Sequence, residues 1–312
     1  MKFLEVIGAN ARWVMAGGCV AALFLPSLSA LLRPALPALV SVVLAVAMTR
    51  IDLGAIARGA IRPARLFSWL AAVVLMMPVS GALLWVIGHL VLPQDRSLLV
   101  LYAAAPPIAS AAGICFLMRY DAQRAVEVTA TATLLTPIIG PLLLALMVPD
   151  LPGLDPVPLA IRLSMIIAGG VTLAIAAKAI IGQERIAASG RRFDGIAACI
   201  MVLFVIPLFD GVGGTILSDP QTSLRILALC FVLNLGTTIA VLKLGEGPLG
   251  RARAGAYGVL SGNRTVAIYL AALPYDPHMA LFVALYQFPM YLTPLALDAL
   301  GLNNRNEAVT SP

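Results

Sequence analysis

The chain has few charged residues and few of the side chains on which catalytic and metal sites depend. Asp, Glu, Lys and Arg make up 12% of its 312 residues, about half the usual share in soluble proteins, and there are 2 histidines. The four cysteines, Cys19, Cys115, Cys199 and Cys230, stand singly in apolar stretches, so neither a disulfide framework nor a zinc site is indicated. The motifs GxxxxGKS/T, HExxH and GxSxG are missing, which argues against an ATPase, a zinc protease and a serine hydrolase.

Apolar residues make up 61% of the chain, whereas soluble proteins contain about 45–50%. Because a soluble protein needs polar cover, one soluble core cannot hide this excess, but lipid tolerates it. The apolar residues form blocks close to the roughly 20 residues that a helix needs to cross a membrane. The blocks are 13–32, 35–49, 66–92, 97–118, 124–148, 159–177, 195–217, 226–242, 254–273 and 279–299. They predict an all-α membrane protein of about ten transmembrane helices, with 1–312 as a single transmembrane domain.

The basic residues fall mainly on one side of these blocks. If the N-terminus is cytoplasmic, every cytoplasmic loop is basic, as the positive-inside rule requires. The cytoplasmic residues are then Lys2, Arg12, Arg50, Arg58, Arg62, Arg65, Arg119, Arg124, Lys178, Arg185, Arg191, Arg192, Lys243, Arg251, Arg253 and Arg305. The external ones are Arg33, Arg96, Arg162 and Arg225. We therefore expect a multi-pass inner-membrane protein with both termini cytoplasmic, whose net charge of +6 reports orientation and not a nucleic-acid partner.

The ten blocks divide into two sets of five with matching layouts. The first set covers about 12–149 and the second about 156–302, with a cytoplasmic tail at 303–312. Because each set has an odd number of crossings, the two sets run in opposite orientations. This layout predicts two inverted five-helix repeats that surround a central site.

Blocks four and nine hold equivalent places in the two sets, and both contain residues that disfavour a straight helix at mid-membrane. Pro106 and Pro107 remove two backbone donors from block four. Gly262 and Asn263 weaken block nine, where Arg264 adds a charge near the middle of the bilayer. Because repeat carriers bind substrate where helices break, we predict that helices 4 and 9 are broken and cross at mid-membrane. A proline kink beside a close-packed glycine face is the alternative.

Several short motifs occur in a specific order and spacing. They are Met48-Thr49-Arg50-Ile51-Asp52-Leu53 with Arg62-Pro63, Leu75-Met76-Met77-Pro78, Ala105-Pro106-Pro107 with Leu117 to Asp121, Thr129 to Pro137, and Gly262-Asn263. Together they resemble the bile acid:sodium symporter family, within the superfamily of bile, arsenite and organic-anion transporters, and the likeness covers most of the chain. The resemblance implies the ten-helix fold with broken helices and a carrier role.

Most side chains that bind sodium in that family are replaced in this chain. The family's ligand positions correspond to Val73, Ala111, Ala112, Ala125, Thr129, Gly258 and Gly262. Only the threonine is kept, and sodium needs several hard oxygen ligands, so we do not carry over sodium coupling and predict no metal site. The arsenite branch does not fit either, because its span 4 cysteine has no equivalent in Ala105-Pro106-Pro107.

Charged residues inside a membrane are costly and mark candidate sites. Arg264 is a candidate anchor for a carboxylate or other oxyanion, or else a structural partner for a buried acid or for carbonyls freed by the break. Asn263 either binds substrate or caps a half-helix. Glu127, tuned by burial and by a nearby Arg264, is a candidate proton carrier in place of the missing sodium sites. Its alternative is a cytoplasm-facing acid paired with Arg124 or Arg119.

Other polar residues complete the predicted site. Thr129 either lines a polar path or bonds back to the preceding helical turn. Asp210 is either a buried site residue or a solvated helix-end acid, and Asn234 is either a site residue or a contact between helices. The remaining members lie at the two breaks and are Pro106, Pro107, Ser110 and Ser261.

These features predict a secondary active transporter of a small organic anion that works by alternating access. It is coupled to protons or is a uniport, and it needs no cofactor and no obligate protein partner besides the lipid bilayer. The alternatives are a sodium-dependent bile acid or organic acid symporter with a rearranged site, and a channel or sensor-like membrane module. We expect no enzymatic activity, because His89 and His278 lie near external ends of blocks, away from any nucleophile at the same depth.

The orientation is testable with reporter fusions. Alkaline phosphatase, which folds only where disulfides form, should be inactive when fused after residue 312 and active when inserted within 149–158. The reverse pattern would overturn the predicted orientation, and activity at both positions would overturn the predicted number of crossings.

Overall fold

The long apolar blocks fold as helices. The computed structural model describes residues 2–49, 51–182, 185–186 and 190–304. In chain order the helices are α1 Lys2–Ala9, α2 Ala11–Leu23, α3 Pro26–Met48, α4 Leu53–Ala60, α5 Pro63–Leu90, α6 Arg96–Ala104, α7 Ala111–Leu117, α8 Ala122–Met147, α9 Pro156–Ile181, α10 Gly190–Leu208, α11 Val212–Ser218, α12 Pro220–Leu249, α13 Arg251–Gly262, α14 Ala267–Ala272 and α15 Pro277–Ala299. Across these described ranges there is no strand, and the single β-type pairing joins Pro107 and Arg264.

Six of these helices are long and apolar enough to cross a membrane, namely α3, α5, α8, α9, α12 and α15. Two bent pairs raise the number to 8 if each pair forms one span. The pairs are α1 with α2 and α10 with α11, and the second pair bends by 51°. The prediction of a helical membrane protein is thereby confirmed.

Helix α8 carries a row of exposed apolar side chains that suits contact with lipid. Leu134, Ile138, Leu142 and Leu146 recur every fourth residue and therefore form one stripe along the helix. Their exposed fractions are 57%, 67%, 55% and 70%. An apolar stripe of this length would be costly against water and is favourable against hydrocarbon.

The first helical boundary differs from the sequence prediction. We expected a break near residues 33–34, between blocks 13–32 and 35–49. The chain instead turns at Phe24 and Leu25, and α3 then continues through a 3-10 turn at Arg33–Ala35. Pro26 occupies the first turn of α3, where a missing N–H costs nothing, and the 3-10 turn accommodates Pro34. Arg33 therefore lies within a helical span and not in a connecting loop.

The helices assemble into two compact units, and each unit is discontinuous in sequence. Unit one contains Met1–Asp52, Ile161–Leu227 and Ala267–Tyr291. Unit two contains Leu53–Ala160, Ala228–Val266 and Leu292–Pro312. The two π-helical turns, at Leu75–Val79 in α5 and Val232–Gly236 in α12, both belong to unit two.

Within unit one, α3 and α9 approach closely through small residues. The Ser41 hydroxyl donates to the Ile166 carbonyl over 2.9 Å. A Cβ atom on Gly170 would lie 2.9 Å from Leu44 Cβ and 3.0 Å from the Ser41 carbonyl oxygen. Small residues with hydroxyl contacts are the usual means of close helix packing in lipid, where no hydrophobic force draws helices together.

Within unit two, glycines allow α13 to lie against the backbone of α12. A Cβ atom on Gly258 would lie 2.5 Å from the Thr238 carbonyl oxygen. A Cβ atom on Gly262 would overlap the Thr238 hydroxyl and the Asn234 carbonyl. The contact thus leaves no space for a side chain at position 258 or 262 of α13.

Gly262→Ala should destabilise the protein by about 1–3 kcal/mol, because the added methyl group forces α12 and α13 apart. Thermal unfolding of the purified protein in detergent measures the effect. Gly113→Ala is the matched control, since a Cβ at this position in α7 meets nothing within 4 Å. An equal loss in both variants would show that α12 and α13 are not in this contact.

Candidate functional site at the crossing of two broken helices

Two helices of unit two stop abruptly in the interior of the protein. Helix α6 ends at Ala104 and α7 begins at Ala111, and the buried prolines Pro106 and Pro107 lie between them. Helix α13 ends at Gly262, and helical structure resumes only at Ala267. The breaks fall where the prolines and the Gly-Asn pair predicted them, because prolines supply no N–H for a helical hydrogen bond.

The two unwound segments pair with each other. The Ile108 N–H donates to the Asn263 carbonyl over 2.9 Å, and the Thr265 N–H donates to the Pro106 carbonyl over 2.8 Å. The Thr265 hydroxyl also donates to the Pro107 carbonyl over 3.2 Å. The pairing is a short antiparallel bridge, and it satisfies backbone groups that would otherwise be left unpaired in a dry interior.

Arg264 lies at the centre of this crossing and is 1% exposed. Its Nε donates to the Ser261 carbonyl over 3.0 Å, its Nη1 to the Ala105 carbonyl over 3.1 Å and its Nη2 to the Met76 carbonyl over 2.5 Å. Ala105 caps the end of α6, Ser261 lies in the last turn of α13 and Met76 lies in the π-helical turn of α5. One guanidinium therefore joins three separate segments of backbone.

Tyr102 supports the same crossing from the α6 side and is 1% exposed. Its hydroxyl lies 2.7 Å from the carbonyl oxygens of Leu233 and Ser261 and 2.9 Å from the Thr237 hydroxyl. The centre of its ring lies 5.8 Å from the guanidinium carbon of Arg264. Sequence reasoning missed Tyr102, since a single tyrosine in an apolar helix looks like ordinary core.

Asn234, Asn263 and Thr293 form a fully buried polar cluster beside the crossing. The Asn234 amide donates to the Gly262 carbonyl over 2.7 Å and to Asn263 Oδ1 over 3.1 Å. The Thr293 hydroxyl lies 2.8 Å from Asn234 Oδ1 and 3.0 Å from Asn263 Oδ1. The Asn263 amide donates back to the Val259 carbonyl over 3.0 Å, as a cap on the end of α13 does.

Glu127 lies on α8 of unit two, where its carboxylate is surrounded by hydrogen-bond donors and one cation. One carboxylate oxygen accepts from Trp69 Nε1 over 2.9 Å, and the other accepts from Gln123 Nε2 over 3.2 Å. Arg124 Nη1 lies 3.7 Å from the carboxylate and donates to the Ser68 hydroxyl over 2.9 Å. The side chain of Glu127 is 13% exposed, so this acid is largely withdrawn from solvent. The pairing with Arg124 corresponds to the structural alternative that the sequence left open.

The threonines of α8 differ from one another. The Thr131, Thr133 and Thr136 hydroxyls donate to carbonyls one turn back, over 2.8, 2.8 and 2.7 Å. The hydroxyl of Thr129 is buried and has no hydrogen-bond partner, although the residue is only 3% exposed. Helix α8 packs against α13, the helix that ends at the second break. Ser110, at the start of α7, is exposed.

Asp210 lies in unit one, in the bend between α10 and α11. Its carboxylate accepts from Arg33 Nη1 over 2.8 Å, and the Arg33 guanidinium stacks on the Tyr275 ring at 3.5 Å. The side chain of Asp210 is 19% exposed. It is thus a paired acid at a helix bend, and no local pattern pointed to its partner, because Arg33 is 177 residues away.

Two further buried oxygens lack partners in unit one. Gln287 Oε1 and the Tyr291 hydroxyl lie one turn apart on α15. Their spacing of four residues within an apolar block is the sequence pattern that could have identified them.

A cleft of about 410 Å³ lies elsewhere in this unit. It is lined by Ser41, Arg162 and Met165, among others, and by none of the predicted site residues.

The turn after α7 anchors the start of α13. The Asp121 N–H donates to the Ala252 carbonyl over 3.0 Å, and the Tyr120 ring fills the space over Gly255. The Tyr120 hydroxyl donates to the Leu302 carbonyl. Burial raises the pKa of Tyr120 to about 12, so this donor stays protonated over the physiological range.

The residues that the structure describes contain no group of three or more His, Cys, Asp or Glu side chains placed to hold a metal ion. The four cysteines are free, and Cys199 is the exposed one.

Comparison of this sequence with models of known protein families found no match, and none of the curated proteins matched it.

Thr293→Val should destabilise the protein by about 1–3 kcal/mol, because it removes the donor to the buried amide oxygen of Asn234. Thr293→Ser keeps the hydroxyl and should lose much less. Thermal unfolding in detergent compares the two variants. If valine were as stable as the wild type, the three-residue cluster would have no part in holding the crossing.

Proposed function

We propose that the protein is a secondary active transporter of a small organic anion in the inner membrane, working by alternating access. The observation that carries this proposal is the crossing of two broken helices in unit two, made by residues 106–108 and 263–265. In membrane carriers, irregular backbone at membrane depth occurs where it lines a substrate or ion site.

The proposed topology has ten crossings in two inverted repeats of five. The six long helices and the two bent pairs account for eight. The broken pairs α6 with α7 and α13 with α14 supply the remaining two. Each is too short or too interrupted to count as a single apolar helix, as expected of a discontinuous transmembrane helix. The cytoplasmic placement of both termini rests on the distribution of the basic residues.

The likeness to the bile acid:sodium symporter family belongs to this proposal. It is supported by the order of the sequence motifs and by the position of the two breaks, which fall where the resemblance implies. A symporter that needs sodium is disfavoured by the apolar side chains at the corresponding ligand positions, such as the fully buried Val73, Ala111 and Ala125.

We assign Arg264 to the backbone rather than to the substrate. The sequence left both roles open, and the guanidinium donates to three carbonyls in a site that is 1% exposed. Thr129 is the better candidate for a direct contact with substrate, because its buried hydroxyl is unpaired. Asn263 and Asn234 then shape the site through the cluster that they form with Thr293.

Proton coupling, if the carrier is coupled, is assigned to Glu127. Its carboxylate is held by two neutral donors, Trp69 and Gln123, with the cation of Arg124 at 3.7 Å. If Glu127 has only a structural role, the proposed carrier is a uniport that moves its substrate down the substrate gradient.

Uptake of labelled monocarboxylates into proteoliposomes tests the proposal. We expect uptake to be unchanged when sodium is replaced by potassium or choline. If a proton gradient drives accumulation, Glu127→Gln should reduce accumulation to the level reached without the gradient, because the amide cannot release a proton.

Glu246→Gln is the matched control, since Glu246 is a partly exposed acid paired with Arg251 and should not affect coupling. A strict sodium requirement would contradict the coupling assignment. Failure to move any organic anion across the membrane would contradict the carrier function itself.

A further inference from the structure

Two of the carbonyls at the helix crossing lie at the negative ends of helices. The C-terminal end of an α-helix carries roughly half a negative elementary charge, concentrated on its last free carbonyls. Helices α6 and α13 both end here, and the Ala105 and Ser261 carbonyls belong to those ends. In carriers with broken helices, unwound carbonyls and half-helix C-terminal ends are the groups that coordinate monovalent cations.

The position that such a cation would take is filled by a side chain of the protein itself. The three nitrogens of the Arg264 guanidinium each reach a different carbonyl, of Ser261, Ala105 and Met76, at 3.0, 3.1 and 2.5 Å. Two of these carbonyls also have a hydroxyl within hydrogen-bond distance. The Tyr102 hydroxyl lies 2.7 Å from the Ser261 oxygen, and the Ser80 hydroxyl donates to the Met76 oxygen.

A guanidinium suits this position for two reasons. It stays charged at every physiological pH, and its donors lie in one plane with fixed spacing, so it can hold three backbone segments in one arrangement. Its backbone joins the same arrangement, because Arg264 pairs with Pro107 across the bridge. The charge is therefore fixed in place by covalent attachment and cannot dissociate.

We propose that Arg264 is a built-in cation, which holds the crossing together in place of a dissolved alkali ion. The crossing then needs no sodium or potassium to form, and no ion is released from it during transport. The consequence for transport rests on the proposed carrier function, whereas the consequence for stability does not.

The wild-type protein gives the first test. Its unfolding temperature should be the same in sodium, potassium and choline chloride at equal ionic strength. A rise that saturates with sodium or potassium, and that choline does not produce, would overturn the proposal, because it would reveal a free cation site that the guanidinium had not replaced.

Chemical rescue gives the second test. Arg264→Ala should unfold at a lower temperature, and millimolar methylguanidinium should raise that temperature in a saturable way. Denaturation by guanidinium salts requires molar concentrations, so the rescue is distinguishable from unfolding. Arg264→Lys keeps the charge but on a single nitrogen. Its unfolding temperature should therefore lie between those of Arg264→Ala and the wild type.

Arg253→Ala is the matched control. Arg253 lies on the same helix, α13, but its side chain is 59% exposed and lies 3.8 Å from Asp121. Methylguanidinium should leave the unfolding temperature of this variant and of the wild type unchanged. If Arg264→Ala folds and responds no more than these two, the proposal is wrong.

If Arg264→Ala cannot be recovered as a folded protein, the salt comparison on the wild type decides whether Arg264 acts as a built-in cation.

The built-in cation and the carrier function can fail independently. A sodium effect on stability defeats the built-in cation and leaves the carrier function standing. Proteoliposomes that move no organic anion defeat the carrier function and leave the built-in cation standing.

Discussion

Every backbone polar group that a helix break exposes inside a membrane must find a partner within the protein, because hydrocarbon offers none. This constraint explains most of the polar architecture of unit two. The breaks at 105–110 and 263–266 release N–H and C=O groups, and several of these groups take partners from another part of the chain. The N–H groups of Ile108 and Thr265 take carbonyls across the crossing, and the carbonyls of Ala105 and Ser261 take Arg264.

The remaining features of the unit serve this arrangement. Glycines at 258 and 262 allow α13 to approach α12, so that Asn234 can reach the end of α13. The buried cluster of Asn234, Asn263 and Thr293 then fixes the broken end. The close backbone contact and the buried hydrogen bonds depend on each other. If a side chain at 258 or 262 held α13 away from α12, the side-chain amides and the Arg264 guanidinium would not reach their partners.

Local chemistry in the sequence was enough to predict the breaks and the membrane class. Pro106 and Pro107 together remove two successive backbone donors from the helix, and the apolar blocks point to lipid as the solvent. The first helical boundary was misplaced because Arg33 and Pro34 suggested a loop, whereas a 3-10 turn carries the helix through them. The fold of ten crossings in inverted repeats stays a prediction, since six to eight helices meet the criteria of length and hydropathy.

The candidate site was less predictable, because its partners are distant in sequence. Arg264 was identified as a site residue from its charge alone, but its contacts with Met76 and Ala105 lie 188 and 159 residues away. Tyr102 and Thr293 carried no signal, since single hydroxyl residues in apolar helices are common. Sequence patterns report local backbone preference and burial, whereas the partners of a polar side chain are decided by the fold.

The most direct test of this account is a high-resolution cryo-electron microscopy map of the protein in a sodium-containing buffer. The account predicts planar guanidinium density between the carbonyls of Met76, Ala105 and Ser261, with no separate ion among them. A map with Arg264 turned away, and a spherical ion density at the centre of those carbonyls, would contradict it.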